Sequence, residues 1–149
     1  MKAVLQRVSR ASVSVAGETV GKIGQGLLVL LGVAPDDAEA DADYLLAKIH
    51  KMRIFEDEAG KMNRSLLDVG GEMLVISQFT LFASYKKGNR PDYMGAASPE
   101  LARRLYEYFI EKSRENQVIT EHGVFGADMA VELLNCGPVT IVMDSKSPV

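Results

Sequence analysis

Met129-Ala130-Val131-Glu132-Leu133-Leu134-Asn135-Cys136-Gly137-Pro138-Val139-Thr140-Ile141-Val142-Met143 is the stretch around which the chain is organised. Two β-like runs, Met129 to Leu134 and Val139 to Met143, bracket Gly137-Pro138. A proline has no N–H to give to a sheet ladder, and a glycine packs least and bends most freely. The pair therefore reads as an interruption, and two explanations fit. One is a tight turn with Pro138 at a corner, since these are ordinary turn residues. The other is a rigid backbone feature, with a cis bond, that presents carbonyls to a ligand. Only about 5–6% of X-Pro bonds in folded proteins are cis, which favours the turn. Residue chemistry alone leaves both open.

Upstream, Val4 to Val8 and Ala11 to Ala16 alternate as strands do, Gly17-Glu18 turns, and Thr19 to Ile23 reads as the return of a hairpin. Leu27 to Val33 is almost wholly apolar, as expected of a strand buried on both faces. The first third thus reads as a β-meander. Pro35 to Glu39 opens a helix, with Asp36 as cap and Glu39 three residues on; Ala38, Ala42, Leu45, Leu46, Ile49 and Met52 form its apolar stripe. Arg53 to Glu56 and Asn63 to Asp68 are short elements, and Glu72 to Leu81 is a strong strand. Ser98-Pro99 opens a second, longer helix, with Leu101, Leu105, Tyr108, Phe109 and the stem of Lys112 along its stripe. Val118 to Glu121 is a further strand. The expectation is one α+β domain over 1–149: barrel-like, mostly antiparallel sheets with two main helices.

At 149 residues the chain can bury a core without staples. One cysteine, Cys136, leaves no intrachain disulfide and no multi-cysteine metal site, which points to a reducing compartment. The opening residues are charged and alternating rather than signal-like, and no apolar run reaches the roughly 18 residues of a membrane span. A net charge of −3 argues against broad nucleic-acid binding. It leaves room for a local basic patch, and Lys86, Lys87 and Arg90 form one a few residues beyond a polar strand end.

Familiar catalytic signatures are absent: no phosphate-binding Walker loop, dinucleotide fingerprint, nucleophile elbow or zincin helix. His50, at the end of the first helix, suits a cation against the helix dipole; His122 sits in a turn. Cys136, a lone small thiol, reads as a packing residue. The polar cluster Ser77-Gln78-Phe79-Thr80 closes an apolar strand, where loops converge into sites. The plainer alternative is a solvated strand face, with Ser77 and Phe79 on one side and Gln78 and Thr80 on the other. Arg7 lies mid-strand among apolar neighbours, so it either emerges to solvent or holds something.

These residues, in order, resemble the bacterial D-aminoacyl-tRNA deacylases. The resemblance runs through Met1 to Val13, Gly26 to Val33, Arg53-Ile54-Phe55, Lys61-Met62-Asn63, Ser77-Gln78-Phe79-Thr80-Leu81, Phe125-Gly126-Ala127-Asp128-Met129 and Asn135-Cys136-Gly137-Pro138-Val139-Thr140. It covers essentially the whole chain; Cys136 occupies the family's variable position. It implies a cytoplasmic homodimer that hydrolyses the ester between a D-amino acid and the 3′ end of tRNA, and also glycine mischarged on tRNA for alanine, as chirality proofreading. It implies a cis Gly137-Pro138 that reaches into the partner's site and excludes L side chains. Ser77, Gln78, Phe79 and Thr80 would form the reaction site, with backbone N–H groups near Phe79 and Thr80 as an oxyanion hole and the substrate's own 2′-hydroxyl helping to activate water. Phe125, Gly126, Ala127 and Met129 would hold the terminal adenosine, and Arg7 would brace Gly137-Pro138. The expected partner is the acceptor end of tRNA, with no cofactor, metal, membrane or DNA. Two other classes are weighed beside it: a hydrolase using Thr80 or Cys136 covalently, and a module that binds without turnover.

Overall fold

A computed structural model describes residues 1–149. Its organising strand is β1, Lys2–Val15, long enough to serve three partners. Its far half forms a hairpin with β2, Glu18–Ile23, pairing Ala11 to Val15. Its near half pairs antiparallel with β3, Gly26–Gly32, from Lys2↔Gly32 to Val8↔Gly26. β2 and β3 therefore follow one another along the same edge of β1 in one register, as the interrupted return of a single long hairpin, in place of the expected meander. β3 then runs parallel to β6, Glu72–Ser77, and β6 parallel to β7, Thr120–His122. The sheet is mixed: its pairings around β1 are antiparallel and make up the majority, as expected, while β3, β6 and β7 run parallel. It nearly closes, because β2 returns against β7: a Cβ on Gly21 would lie 2.7 Å from the His122 carbonyl oxygen, so only glycine allows the approach. Between β3 and β6 lie a small ribbon of β4 (Phe55–Glu56) and β5 (Met62–Arg64), and a short helix α2 (Leu66–Val69).

The helices α1, Glu39–Lys51, and α3, Pro99–Glu115, cover one face of the sheet. α1 starts later than its sequence suggests. Its cap is Ala38, whose N–H is held by Asp41, while the carboxylate of Asp37 turns inward to the Met1 ammonium at 2.7 Å and the Ala34 N–H. Ser98 accepts from the Leu101 N–H at the start of α3, and Pro99 follows it. The buried face of α3 is Leu105, Tyr106, Phe109, Ile110 and Ser113. Tyr108 points outward, donating to Asp43 at 2.8 Å, so the expected stripe is rotated by part of a turn. His50 is buried, against Ser113 Oγ at 3.1 Å, and Ser113 meets Thr120 at 2.7 Å. Burial lowers its pKa: it is a neutral core imidazole, not a cation on the helix dipole.

The stretch from Met129 to Met143 departs most from its simplest reading. Ala130–Asp144 is one strand, β8, along the open side of β1. Thr140 pairs with Gln6 and Asn135 with Val8, so residues 136–139 bow out opposite Arg7 alone, as a large bulge. The turn reading fails because both flanks find partners on the same strand. The bulge also divides two cores. Val139, Ile141 and Met143 pack toward the helix-side core with Ala3 and Leu5, while Val131 and Leu133 pack with Val8, Ala11, Val13, Leu28, Leu74 and Ile76.

Candidate active site

β6 ends at Ser77, earlier than the sequence suggests. Gln78 leaves β geometry, and Phe79–Phe82 wind into a 3₁₀ turn. The Gln78 N–H makes the last rung of the ladder, to the Leu31 carbonyl at 2.8 Å, and the ladder stops beyond it because the Gln78 carbonyl accepts from the Leu81 N–H at 3.3 Å and the Val33 carbonyl from the Ala97 N–H at 2.8 Å. Ser77 to Thr80 are thus not a solvated strand face. That first 3₁₀ bond belongs to Leu81, so the turn provides no partner for the N–H groups of Phe79 and Thr80.

Ser77, Gln78 and Phe79 line a cavity of about 620 Å³ with Leu31, Ile76, Tyr93 and Tyr106. Phe125, Gly126, Ala127 and Met129, from the loop between β7 and β8, form its opposite wall. The two motifs, nearly fifty residues apart in sequence, therefore share one pocket. Thr80 does not line it; its hydroxyl takes a hydrogen bond from the Gln78 amide. The walls are mostly apolar, as small-molecule sites are. The Tyr106 phenol donates to the Val75 carbonyl at 3.0 Å, and burial pushes its pKa up to about 12, so it stays protonated at neutral pH. Asp128 is the one carboxylate on the wall, and no His, Lys or Cys lines it. Across the chain, no group of three His, Cys, Asp or Glu lies together as a metal site would require. No helix is long and apolar enough to cross a membrane.

Gly137 belongs to a different place. With Arg7, Val8, Phe55, Glu56 and Cys136 it lines a shallow groove that shares no residue with the pocket. Arg7 is 8% exposed. Its Nε donates to the Cys136 carbonyl at 3.1 Å and a terminal nitrogen donates to the Ile54 carbonyl at 2.8 Å, tying the bulge to the strand ribbon. On the other flank the Val139 N–H donates to Asn135 Oδ1 at 3.2 Å, and Asn135 Nδ2 donates to Thr140 Oγ1 at 3.3 Å. Side chains thus hold the bulge from both ends. Gly137 and Pro138 are exposed, and the peptide bond between them is cis. Gly137 has φ of +117°, and a Cβ there would fall 2.6 Å from an Arg7 nitrogen. Only glycine meets both conditions.

Tyr93, Ala97 and Tyr106 also line the pocket, beyond the residues that the sequence marks, as does Asp128 from within the motif Phe125 to Met129. Tyr106 was legible in principle, one residue off the helix stripe that was read. Tyr93 sits in a loop without periodicity, so nothing local marks it.

A family model described as D-Tyr-tRNA(Tyr) deacylase matches residues 4–144. A protein of Koribacter versatilis named D-aminoacyl-tRNA deacylase is 58% identical over 146 residues, covering 98% of each chain. Among solved structures, one described as c-Myc DNA Unwinding Element Binding Protein superposes with a TM-score of 0.91 at 43% identity over the whole of both chains. Another, a probable eukaryotic D-amino acid tRNA deacylase, shares the fold with a TM-score of 0.83 at 16% identity over 95% of this chain and 97% of its own. Fold and motifs together define a tRNA-ester hydrolase class. The chain belongs to the D-Tyr-tRNA(Tyr) deacylase family.

Proposed function

We propose that this enzyme frees D-amino acids from the 3′ end of tRNA and rejects L-amino acids through the Gly137-Pro138 backbone, presented by the partner subunit of a homodimer. The observation that carries the reading is the separation of the two parts within one chain. The pocket has walls but no stereochemical filter, and the bulge is exposed and shares no lining residue with it. A second copy, related by a two-fold axis, would bring each bulge to the other's pocket.

Backbone held at both ends suits a filter because it has no rotamers with which to relax. Each tenfold of preference corresponds to about 1.4 kcal/mol, and overlap with a fixed backbone costs several times that. Achiral glycine would pass, which extends the activity to glycine carried by tRNA for alanine. The N–H groups of Phe79 and Thr80 would stabilise the oxyanion as water attacks the ester carbonyl. Ser77 and Gln78 would shape the site, and Phe125, Gly126, Ala127 and Met129 would hold the terminal adenosine. Arg7 would act at a distance, by fixing the Cys136 carbonyl. The resemblance assigns the activation of water to the 2′-hydroxyl of the substrate, and a wall whose one titratable carboxylate is Asp128, with no His, Lys or Cys, supports that reading. Thr80, bonded to Gln78 and off the wall, is given no nucleophilic role. The single lone cysteine and the absence of a spanning helix support work in the cytoplasm on tRNA, and the net charge of −3 favours a gripped RNA end over broad DNA binding.

A deacylation time course with D-Tyr-tRNA, L-Tyr-tRNA and glycyl-tRNA, with and without EDTA, tests this. The reading predicts loss of the D and glycyl esters, survival of the L ester, and no effect of chelation. Equal loss of D and L would overturn the filter. Survival of all three would leave a binding module.

A further inference from the structure

A local excess of positive charge runs up to Tyr93, a residue of the pocket wall. Between Ala83 and Ser98 there are three cations, Lys86, Lys87 and Arg90, and one carboxylate, Asp92. None of the three cations is paired with a carboxylate. Asp92 is turned away to cap the Met94 N–H at 3.0 Å. Unpaired, exposed cations have a field that nothing nearby cancels.

The loop that carries them is anchored, not loose. Ser84 and Asp92 close its base with two backbone hydrogen bonds, of 2.8 and 2.9 Å. Immediately after the base, Tyr93 packs edge-on against Phe79, with ring centroids 5.1 Å apart, and both rings line the pocket. Tyr85, at the start of the loop, is 82% exposed, and Phe79 is 54% exposed. Exposed rings have a cost in water that a stacked base removes. Cations interleaved with exposed aromatic faces are the arrangement that single-stranded nucleic acid takes, with phosphates on the cations and bases on the rings.

The opposite rim offers less. There Arg103 lies over the Phe125 ring at 5.4 Å, but Glu100 and Glu107 share its groove and offset its charge.

We propose that the segment from Phe79 to Tyr93 grips the unpaired ribonucleotides that precede the terminal adenosine. Tyr85 and the Phe79–Tyr93 pair would take bases, and Lys86, Lys87 and Arg90 the phosphates. The identity of this ligand rests on the function proposed above. Beyond Phe79, whose ring it uses beside the backbone N–H given to the reaction, it assigns a role to Tyr85, Lys86, Lys87, Arg90 and Tyr93, which the reaction itself does not use, and it makes the grip specific for a single-stranded end rather than for the paired stem.

The test is binding, with no turnover required. A fluorescent hairpin RNA with an unpaired 3′ tail ending in CCA, and the same hairpin with a blunt end, are titrated with the intact protein at 50 and 200 mM salt. The tailed RNA is expected to bind at least tenfold more tightly than the blunt one. Three neutralised phosphates on a single strand give a slope of about −2 in log affinity against log salt, or roughly a twentyfold loss over that range. The triple variant Lys86→Ala/Lys87→Ala/Arg90→Ala is expected to lose most of that slope. Tyr85→Ala, a single exposed change, is expected to weaken tail binding about fivefold or more. Lys87→Glu serves if the triple variant does not fold, and should weaken binding further than loss of one cation alone. Equal binding of tailed and blunt RNA, wild-type affinity in the variants, or no RNA binding at all would each overturn the proposal. Because the RNA carries no amino acid, these results are independent of whether the ester is cleaved.

Discussion

The pocket and the Gly137-Pro138 bulge are made of opposite materials. The pocket is side chains: apolar walls from β3, β6, α3 and the loop before β8, with few titratable groups. The bulge is backbone, pinned by Arg7 on one flank and Asn135 on the other and turned to solvent. A pocket of side chains can accept ligands of many shapes, while a pinned backbone is suited to refusing one. On the proposed function, acceptance lies in the pocket, while discrimination and the positioning of the amino acid lie in the bulge, and several measurements break or sharpen that division.

Gly137→Ala should have the largest effect. A Cβ meets Arg7 at 2.6 Å and Val139 at 3.1 Å, on a backbone with φ of +117°. The bulge must move, and deacylation of D-Tyr-tRNA should fall by about 100-fold or more, as expected when positioning is lost by an ångström. The protein should remain folded, since Gly137 and Pro138 are exposed and belong to neither core. Deacylation assays beside thermal melts would show whether activity and stability part in this way.

Arg7→Ala comes next, and should touch both. It leaves the Cys136 and Ile54 carbonyls without their donor, at a cost of about 1–3 kcal/mol for each buried acceptor that water does not reach. The Glu56 carboxylate, 3.9 Å away and mostly exposed, adds little. Urea midpoints should drop, and discrimination between D and L esters should narrow because the filter is no longer pinned. A fall in stability with chirality intact would mean that Arg7 only supports the fold.

His50 should give a smaller effect, confined to stability. Its folded pKa is lowered by burial, so below the ordinary histidine value of about 6.5 the unfolded chain binds the extra proton and the fold does not. Stability from this group is complete above that pH and declines as pH falls toward the folded pKa. Urea midpoints measured from pH 8 to 5 should decline below pH 6.5 in the wild type and less in His50→Leu.

Thr80→Val should matter least. Its hydroxyl bonds to Gln78 and does not line the pocket, so deacylation within about tenfold of wild type is expected. A loss of several orders of magnitude would restore the nucleophile reading.

Much of this was legible in the residues. The apolar run at Leu27 to Val33 did form a strand buried on both faces, and the α1 stripe from Ala42 to Ile49 did face the core. What failed was pairing. Nothing in Thr19 to Val33 says that β1 is long enough to take β2 and β3 one after the other along a single edge, which makes one long hairpin of what reads as a meander. The same non-local information was missing at Gly137-Pro138, where local chemistry favours a turn and only pairing of both flanks with β1 makes it a bulge. The end of β6 is not legible because Phe79, Thr80 and Leu81 have good strand propensity, while the Gln78 carbonyl turns to the Leu81 N–H and the Val33 carbonyl is taken by the distant Ala97 N–H. Resemblance put Ser77 to Phe79 and Phe125 to Met129 into one site. Tyr93, placed there by loop geometry, has no such marker.

The division of labour between pocket and bulge is tested most directly by mixing subunits. A Gly137→Ala chain has a pocket and no working bulge; a chain with Ala127→Trp has a bulge and a filled pocket. Each alone should be inactive on D-Tyr-tRNA. If the bulge serves the partner's pocket, co-refolding equal amounts yields mixed dimers in which one site is intact, and about a quarter of wild-type activity returns on statistical pairing. If activity stays at the level of the separate variants although mixed dimers form, the bulge does not act across subunits and the account is wrong.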